Sequence, residues 1–232
     1  MKNYFPLLLI IVTFASCSKE KDSSFVIGVD NDSMNTFTLD SAVEIIAPAL
    51  SVNEFELDID NDGINDFKLV SEHNVSSGGV NQRGSFLIVL NTSFLVSTTE
   101  MIDTTYQCYN FSLNSTTTYN NFYSYSCLTE NDSIQSINIF EYPKVYSSGD
   151  SYNCNESWLN SELILSYLNN SSSNIGPPYS NHNIVRGNWN LQNMKYILIS
   201  KDIGPKSLYG WIKLSVENFK EIQFIEYSLQ KE

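Results

Sequence analysis

Trp211-Ile212-Lys213-Leu214-Ser215-Val216, followed beyond Glu217 to Glu221 by Phe224-Ile225-Glu226-Tyr227-Ser228-Leu229, is the stretch that decides the fold. Side chains along a β-strand alternate between two faces. Ile212, Leu214 and Val216 therefore share one face and Trp211, Lys213 and Ser215 the other, one turned to the core and one wet. Ile225, Tyr227 and Leu229 oppose Phe224, Glu226, Ser228 and Gln230 in the same way. A helical period of 3.6 residues does not sort the residues like this. The two runs predict neighbouring strands joined through Glu217 to Glu221.

The same signature recurs upstream. Phe37 to Leu39, Glu54 to Ile59, Phe67 to Ser71, Ser85 to Asn91, Ile134 to Tyr142, Leu163 to Leu168 and Tyr196 to Ser200 are rich in β-branched, leucine and aromatic residues, the composition of strands. Ser76-Ser77-Gly78-Gly79, Ser147-Ser148-Gly149-Asp150, and Asn169 to Asn174 with Gly176-Pro177-Pro178 punctuate them with residues that favour turns and loops. Many short strands so separated predict an all-β chain, a two-sheet, jelly-roll-like β-sandwich. Residues 25–232 fit one such domain. Tyr106 to Ser126, rich in Asn, Ser, Thr and Tyr, suits either a pair of edge strands or an excursion.

The chain opens with Lys2, an apolar run from Tyr4 to Phe14, and then Ala15, Ser16 and Cys17. A basic start, an apolar stretch and small residues make a secretory signal peptide over residues 1–16. The run is too short to cross a bilayer, which takes about 20 apolar residues. Phe14-Ala15-Ser16-Cys17 resembles the bacterial lipobox, with Phe14 where Leu is usual. The resemblance implies a lipoprotein with diacylglycerol on the Cys17 thiol, a further acyl chain such as palmitate on its freed amine, and a membrane anchor in the lipid bilayer. Two or three acyl chains anchor stably where one does not. Residues 17–24 are then the lipidated cysteine and a polar tether. Ser18-Lys19-Glu20-Lys21-Asp22-Ser23-Ser24 resembles the charged segments that follow the cysteine in Bacteroidota lipoproteins sent to the surface. That implies the cell outer membrane with cell-surface exposure, a periplasm-facing anchor being the alternative.

The formal net charge is −13. A polyanion lacks the phosphate-neutralising contribution that dominates nucleic-acid affinity, so no nucleic-acid partner is expected, while cations are attracted. Beyond Cys17 stand Cys108, Cys127 and Cys154. Export permits a disulfide, yet spacing does not choose the pair, and three reduced cysteines are an equal alternative. The Cys-x-x-Cys spacing of a zinc site is missing.

Asp58-Ile59-Asp60-Asn61-Asp62-Gly63-Ile64-Asn65-Asp66 places carboxylates at positions 1, 3, 5 and 9 around a glycine at 6. Calcium takes oxygen ligands in that arrangement, and the carbonyl at position 7 supplies a backbone oxygen. The candidate metal ligands are Asp58, Asp60, Asp62, the Ile64 carbonyl and Asp66, with calcium as a structural cofactor. The pattern resembles the loops of EF-hands, dockerins and thrombospondin type 3 repeats. It departs at position 12, where Leu69 replaces a bidentate Glu, so a further oxygen is expected from Glu72, Glu56 or water. The alternative is a metal-free hairpin turn at Asn61-Asp62-Gly63.

The aspartate loop ending in Asp66-Phe67, Gly187-Asn188-Trp189 with Lys195-Tyr196-Ile197-Leu198-Ile199, and the Tyr209-Gly210-Trp211 strand resemble a family of secreted bacterial β-sandwich proteins. That resemblance implies fold more than function. Glu56-Leu57-Asp58-Ile59-Asp60 resembles the Glu-x-Asp-x-Glu motif of laminarinase-like jelly-roll glycoside hydrolases, with Asp60 in the place of the acid Glu. Neither His73 nor His182 stands in a protease or esterase motif. Tyr179, Trp158, Trp189, Tyr209 and Trp211 are candidates for a sugar-stacking platform or for the core. The leading expectation is a non-enzymatic binding or structural surface protein with no catalytic residues, its partner a glycan or a surface protein. The alternatives are a jelly-roll glycoside hydrolase and a glycan-binding module.

Overall fold

The computed structural model describes residues 25–111, 113–121, 132–152, 156–173 and 179–232. The predicted signal peptide, Cys17 and the tether lie outside the described residues, as do Cys127 and Cys154. No helix occurs among the described residues. The strands are β1 (Met34–Ile46), β2 (Ser51–Leu57), β3 (Phe67–Ser76), β4 (Val80–Val89), β5 (Phe94–Asn110), β6 (Ser115–Asn120) and β7 (Asp132–Pro143). They continue as β8 (Ser157–Leu159), β9 (Glu162–Ser173), β10 (Tyr179–Arg186), β11 (Gln192–Asp202), β12 (Ser207–Glu217) and β13 (Glu221–Gln230).

The all-β expectation holds, and the strands join in one continuous sheet rather than two separate ones. Its order is β1-β13-β12-β11-β5-β6-β10-β9-β4-β3-β2, with β7 and β8 both paired to β5. β6 and β10 run parallel. The sheet curls into a nearly closed barrel, because most of its long strands carry an apolar face and curling buries those faces in one shared core. Side chains rather than a ladder stitch its two ends. Ser71 Oγ on β3 accepts the Ala47 N–H at 2.8 Å and donates to the Lys220 carbonyl, while Lys220 Nζ donates to the Ala47 carbonyl at 2.8 Å. Ala47 follows β1 and Lys220 lies in the β12–β13 turn, so this one knot ties the β1–β13 end of the sheet to β3, next to the other end.

Ile212, Leu214 and Val216 point into the main core with Ile45, Leu57, Phe67, Leu87 and Phe94, as their alternation predicts. The opposite face is not wet at Trp211. Tyr196, Leu198 and Trp211 are covered by Phe25, Ile27, Met34, Tyr146 and Tyr152 in a second apolar cluster. Two segments remote in sequence cross that face and hydrogen-bond each other, Ile27 N–H to the Asp150 carbonyl at 3.1 Å and Gly149 N–H to the Ile27 carbonyl at 2.9 Å. The final hairpin pairs as predicted. Its alternation breaks at Ile225, where the register shifts between Lys213 and Leu214. A bulge adds one unpaired residue, so Phe224 joins Tyr227 and Leu229 in the core instead of opposing them.

Two polar stretches belong to strands. Asn169 to Ser173 continue β9, and Ser115–Asn120 pair with β5 on one side and β10 on the other. Ser, Thr and Asn are tolerated there because ladders on both sides satisfy the backbone, whatever the side-chain propensity. Residues 122–126 and 174–178 of the predicted excursion and loop lie outside the described residues. Cys108, 4% exposed, is disulfide-bonded, and its partner lies outside the described residues.

Candidate metal centre on the aspartate loop

β2 ends at Leu57 and β3 begins at Phe67, so the aspartate run is the loop between them. Leu57, Ile59 and Phe67 are buried in the main core and hold the base of the loop against the barrel. The Asp66 N–H donates to the Leu57 carbonyl at 2.7 Å and closes the hairpin. Asn61 at φ 59° and Gly63 at φ 88° make the reversal, a conformation that Asn and Gly adopt at least cost.

Within that turn the carboxylates find donors. Asp58 Oδ2 accepts the Gly63 N–H at 2.9 Å, and Asp58 Oδ1 and Asp60 Oδ1 both accept the Asp62 N–H, at 3.2 and 3.1 Å. Asp62 Oδ1 accepts the Ile64 N–H at 2.8 Å. Asp66 is fully buried: its Oδ2 accepts the Ile59 N–H and its Oδ1 the Asn91 side-chain amide, each at 2.8 Å. Burial pushes the Asp66 pKa up, the two hydrogen bonds oppose that shift, and the nearby Asp60 charge adds to it.

Asp58, Asp60 and Asp66 each offer an oxygen such that all three lie within 4.8 Å of one another, and this cluster can hold a metal ion. Of the residues expected to act together, the structure gathers these three. Asp62 is exposed and engaged with Ile64, and the Ile64 side chain faces solvent. Neither Glu56 nor Glu72 joins the cluster. Glu56 bonds Asn65 and Lys68, and Glu72 lies across β3 and β4 opposite Gly84. Because β2 stops at Leu57, Glu56 is on a strand while Asp58 and Asp60 are in the loop, so the three do not form one strand-borne carboxylate row.

Lys201 is the group that the sequence does not announce. Its Nζ lies 2.5 Å from Asp60 Oδ2, in a pair whose side chains are only 17% and 8% exposed. That hydrogen bond is the main reason that the Lys201 pKa is raised. Lys201 is in β11, 141 residues from Asp60, and no local pattern links them. Tyr227, whose hydroxyl donates to the Asp58 carbonyl at 3.2 Å, is 169 residues away, and Asn91 is 25 residues from Asp66, beyond the reach of any local pattern. The donor set of hard carboxylate oxygens, several still with free lone pairs, fits a hard cation once the Lys201 ammonium leaves Asp60.

The remaining candidates resolve by burial. Trp189 and Trp211 are 0% and 1% exposed, and the Trp189 indole N–H donates to the Pro143 carbonyl at 2.9 Å. Trp158 and Tyr209 pack on the second cluster, which leaves Tyr179 as the most accessible of the five aromatics. His182 lies on β10 rather than in a loop, and burial pushes the His73 pKa down. Compared with known proteins, the chain matches no family model, no curated protein and no solved structure.

Proposed function

We propose that this chain is a lipoprotein of the bacterial outer membrane, anchored through acylated Cys17 and exposed at the cell surface, whose β-domain presents a binding or structural surface stabilised by one calcium ion. The anchor rests on the lipobox-like Phe14-Ala15-Ser16-Cys17, and the observation that carries the calcium reading is the convergence of Asp58, Asp60 and Asp66 on a loop pinned to the core. Calcium prefers an all-oxygen shell of six to eight ligands. The Ile64 carbonyl and water would complete the shell that the three carboxylates begin, and the cluster contains no His or Cys that would favour zinc.

The barrel on this reading is a flattened, jelly-roll-like sandwich, an idea supported by the one core in which Leu69 and Leu87 of β3 and β4 meet Ile197 and Ile212 of β11 and β12, far apart in the strand order. A non-catalytic role is favoured because Glu56 is tied to Lys68 and the loop carboxylates to backbone amides, Asn91 and Lys201. Burial of Trp189 and Trp211 takes both out of any sugar platform and favours a surface-protein partner over a glycan.

Calorimetric titration of calcium into the full chain, beside Asp60→Ala, tests the ion. Saturable binding that is lost in the variant, with a melting temperature lowered by chelator, is the expected result; no heat and no thermal shift would sink the calcium reading. Fractionation of cells carrying Cys17→Ser tests the anchor. The parent should sediment with outer membranes and the variant should not.

A further inference from the structure

β7 pairs with β5 along one side, from Asp132 to Pro143. Among the described residues no strand pairs with its other side. An open edge presents a row of backbone N–H and C=O groups to any passing strand, and proteins blunt it with charge, proline or shortness. The other edges of this sheet follow that rule. β1 carries Asp40 and Glu44, β2 carries Glu54 and Glu56, and β8 has three residues. β7 runs for twelve, Ser133 to Phe140 contain neither a charge nor a proline, and its one bulge, at Gln135, leaves Ser136 to Pro143 in regular register. Its Ile134, Ile137 and Ile139 are 61, 63 and 65% exposed, beside Ile102 of β5 at 60%. Ile102 and Ile139 are register partners and Ile137 stands opposite Thr104, so these isoleucines share one face.

We propose that β7 is a dimerisation edge, which pairs antiparallel with β7 of a second copy of this chain about a two-fold axis at Asn138. A two-fold interface must be self-complementary, and β7 satisfies that in charge and in register. Elsewhere a chain of net charge −13 sets carboxylates against carboxylates when it meets its copy; here the contact strand is neutral. Centred on Asn138, the pairing places Ile137 opposite the partner's Ile139 and Ile139 opposite the partner's Ile137. Glu141 then falls at the partner's bulge around Gln135, which is uncharged, so no like charges meet. Cross-strand pairs of β-branched residues are the stabilising unit of such a ladder, and a strongly charged ligand finds nothing on this strand to recognise.

Sedimentation equilibrium of the full chain in density-matched detergent, over about a hundredfold range of concentration, reads the association. The expected result is a reversible dimer, weakened about a hundredfold or more by joint Ile137→Lys and Ile139→Lys, which set ammonium groups against each other. Both positions are exposed, so the fold should tolerate lysine. A second variant is independent of that tolerance. Asn138→Cys should form a disulfide-linked dimer on a non-reducing gel, whereas Asn53→Cys on β2 should not. A parent that is monomeric throughout, a dimer that survives both lysines in a folded variant, or equal cross-linking at Asn138 and Asn53 overturns the proposal.

Discussion

Replacing Asp66 with alanine should lower the melting temperature even when no cation is present, because its carboxylate is a structural acceptor before it is a ligand. Asp66 Oδ2 and Oδ1 accept the Ile59 N–H and the Asn91 amide at 2.8 Å inside a fully buried site. Hydrogen bonds to a charged acceptor contribute about 1.5–3 kcal/mol each, so alanine forfeits roughly 3–6 kcal/mol. Burial, which pushes the Asp66 pKa up, returns part of this when the charge is removed. A net loss of about 3–4 kcal/mol corresponds to a fall of roughly 6–16 °C in a domain of this size. Asp66→Asn keeps the shape and its carbonyl can still accept the Ile59 N–H, but the Asn91 amide meets the new amide only by giving up the bonds its Oδ1 accepts from Ser93, so it should cost about 1–3 kcal/mol, less than alanine. Thermal melts followed by circular dichroism, in chelator and in calcium, separate the two roles: both variants should lose the calcium-dependent rise, but alanine should unfold well before asparagine in chelator. A melting point for Asp66→Ala within about 1 °C of the parent in chelator would refute the claim that this residue pins the loop.

Three other perturbations probe separate parts of the molecule. Lys201→Met removes the ammonium from Asp60 and should raise calcium affinity about tenfold or more, read by titration calorimetry; unchanged affinity would mean that the lysine does not compete. Gly187→Ala should destabilise by roughly 2–4 kcal/mol in urea unfolding, since Gly187 has φ +82° and a Cβ there would lie 2.2 Å from the Leu165 carbonyl oxygen; a neutral effect would show that β9 can shift away. Burial, and then the charge of Glu162, raise the Glu72 pKa above 4.5. The folded state thus holds that proton more tightly than the unfolded chain, so Glu72 favours folding below pH 4.5 and opposes it as pH rises through the folded pKa. Glu72→Gln should therefore melt higher than the parent at neutral pH and equally below about pH 4, and a constant difference across pH would contradict the assignment.

Strand identity was legible wherever apolar residues alternate with others, because the two-residue period is written into consecutive side chains. Ile212, Leu214 and Val216 are the clear case, and the aspartate loop is another, since Asn61, Gly63 and the spacing of Asp58, Asp60 and Asp66 are local. Trp211 and Phe224 defeat the same reasoning for different causes. Trp211 obeys its alternation, but its outer face is covered by Phe25, Ile27 and Tyr152, which arrive from elsewhere in the chain. Phe224 sits beside a bulge, and one extra residue reverses every assignment beyond it.

The sequence by itself determined the strand-rich character, the final hairpin, the acidic turn and the absence of charge along Ser133 to Phe140, all of which depend on residues a few positions apart. Only the tertiary structure decided that the strands close into one curled sheet, that Ser71 and Lys220 stitch its ends, and that Lys201 and Asn91 reach the aspartates. Ladder order and buried polar partners depend on which distant segments meet when the core-facing apolar residues are buried together. That is a property of the whole chain, and no window of sequence contains it.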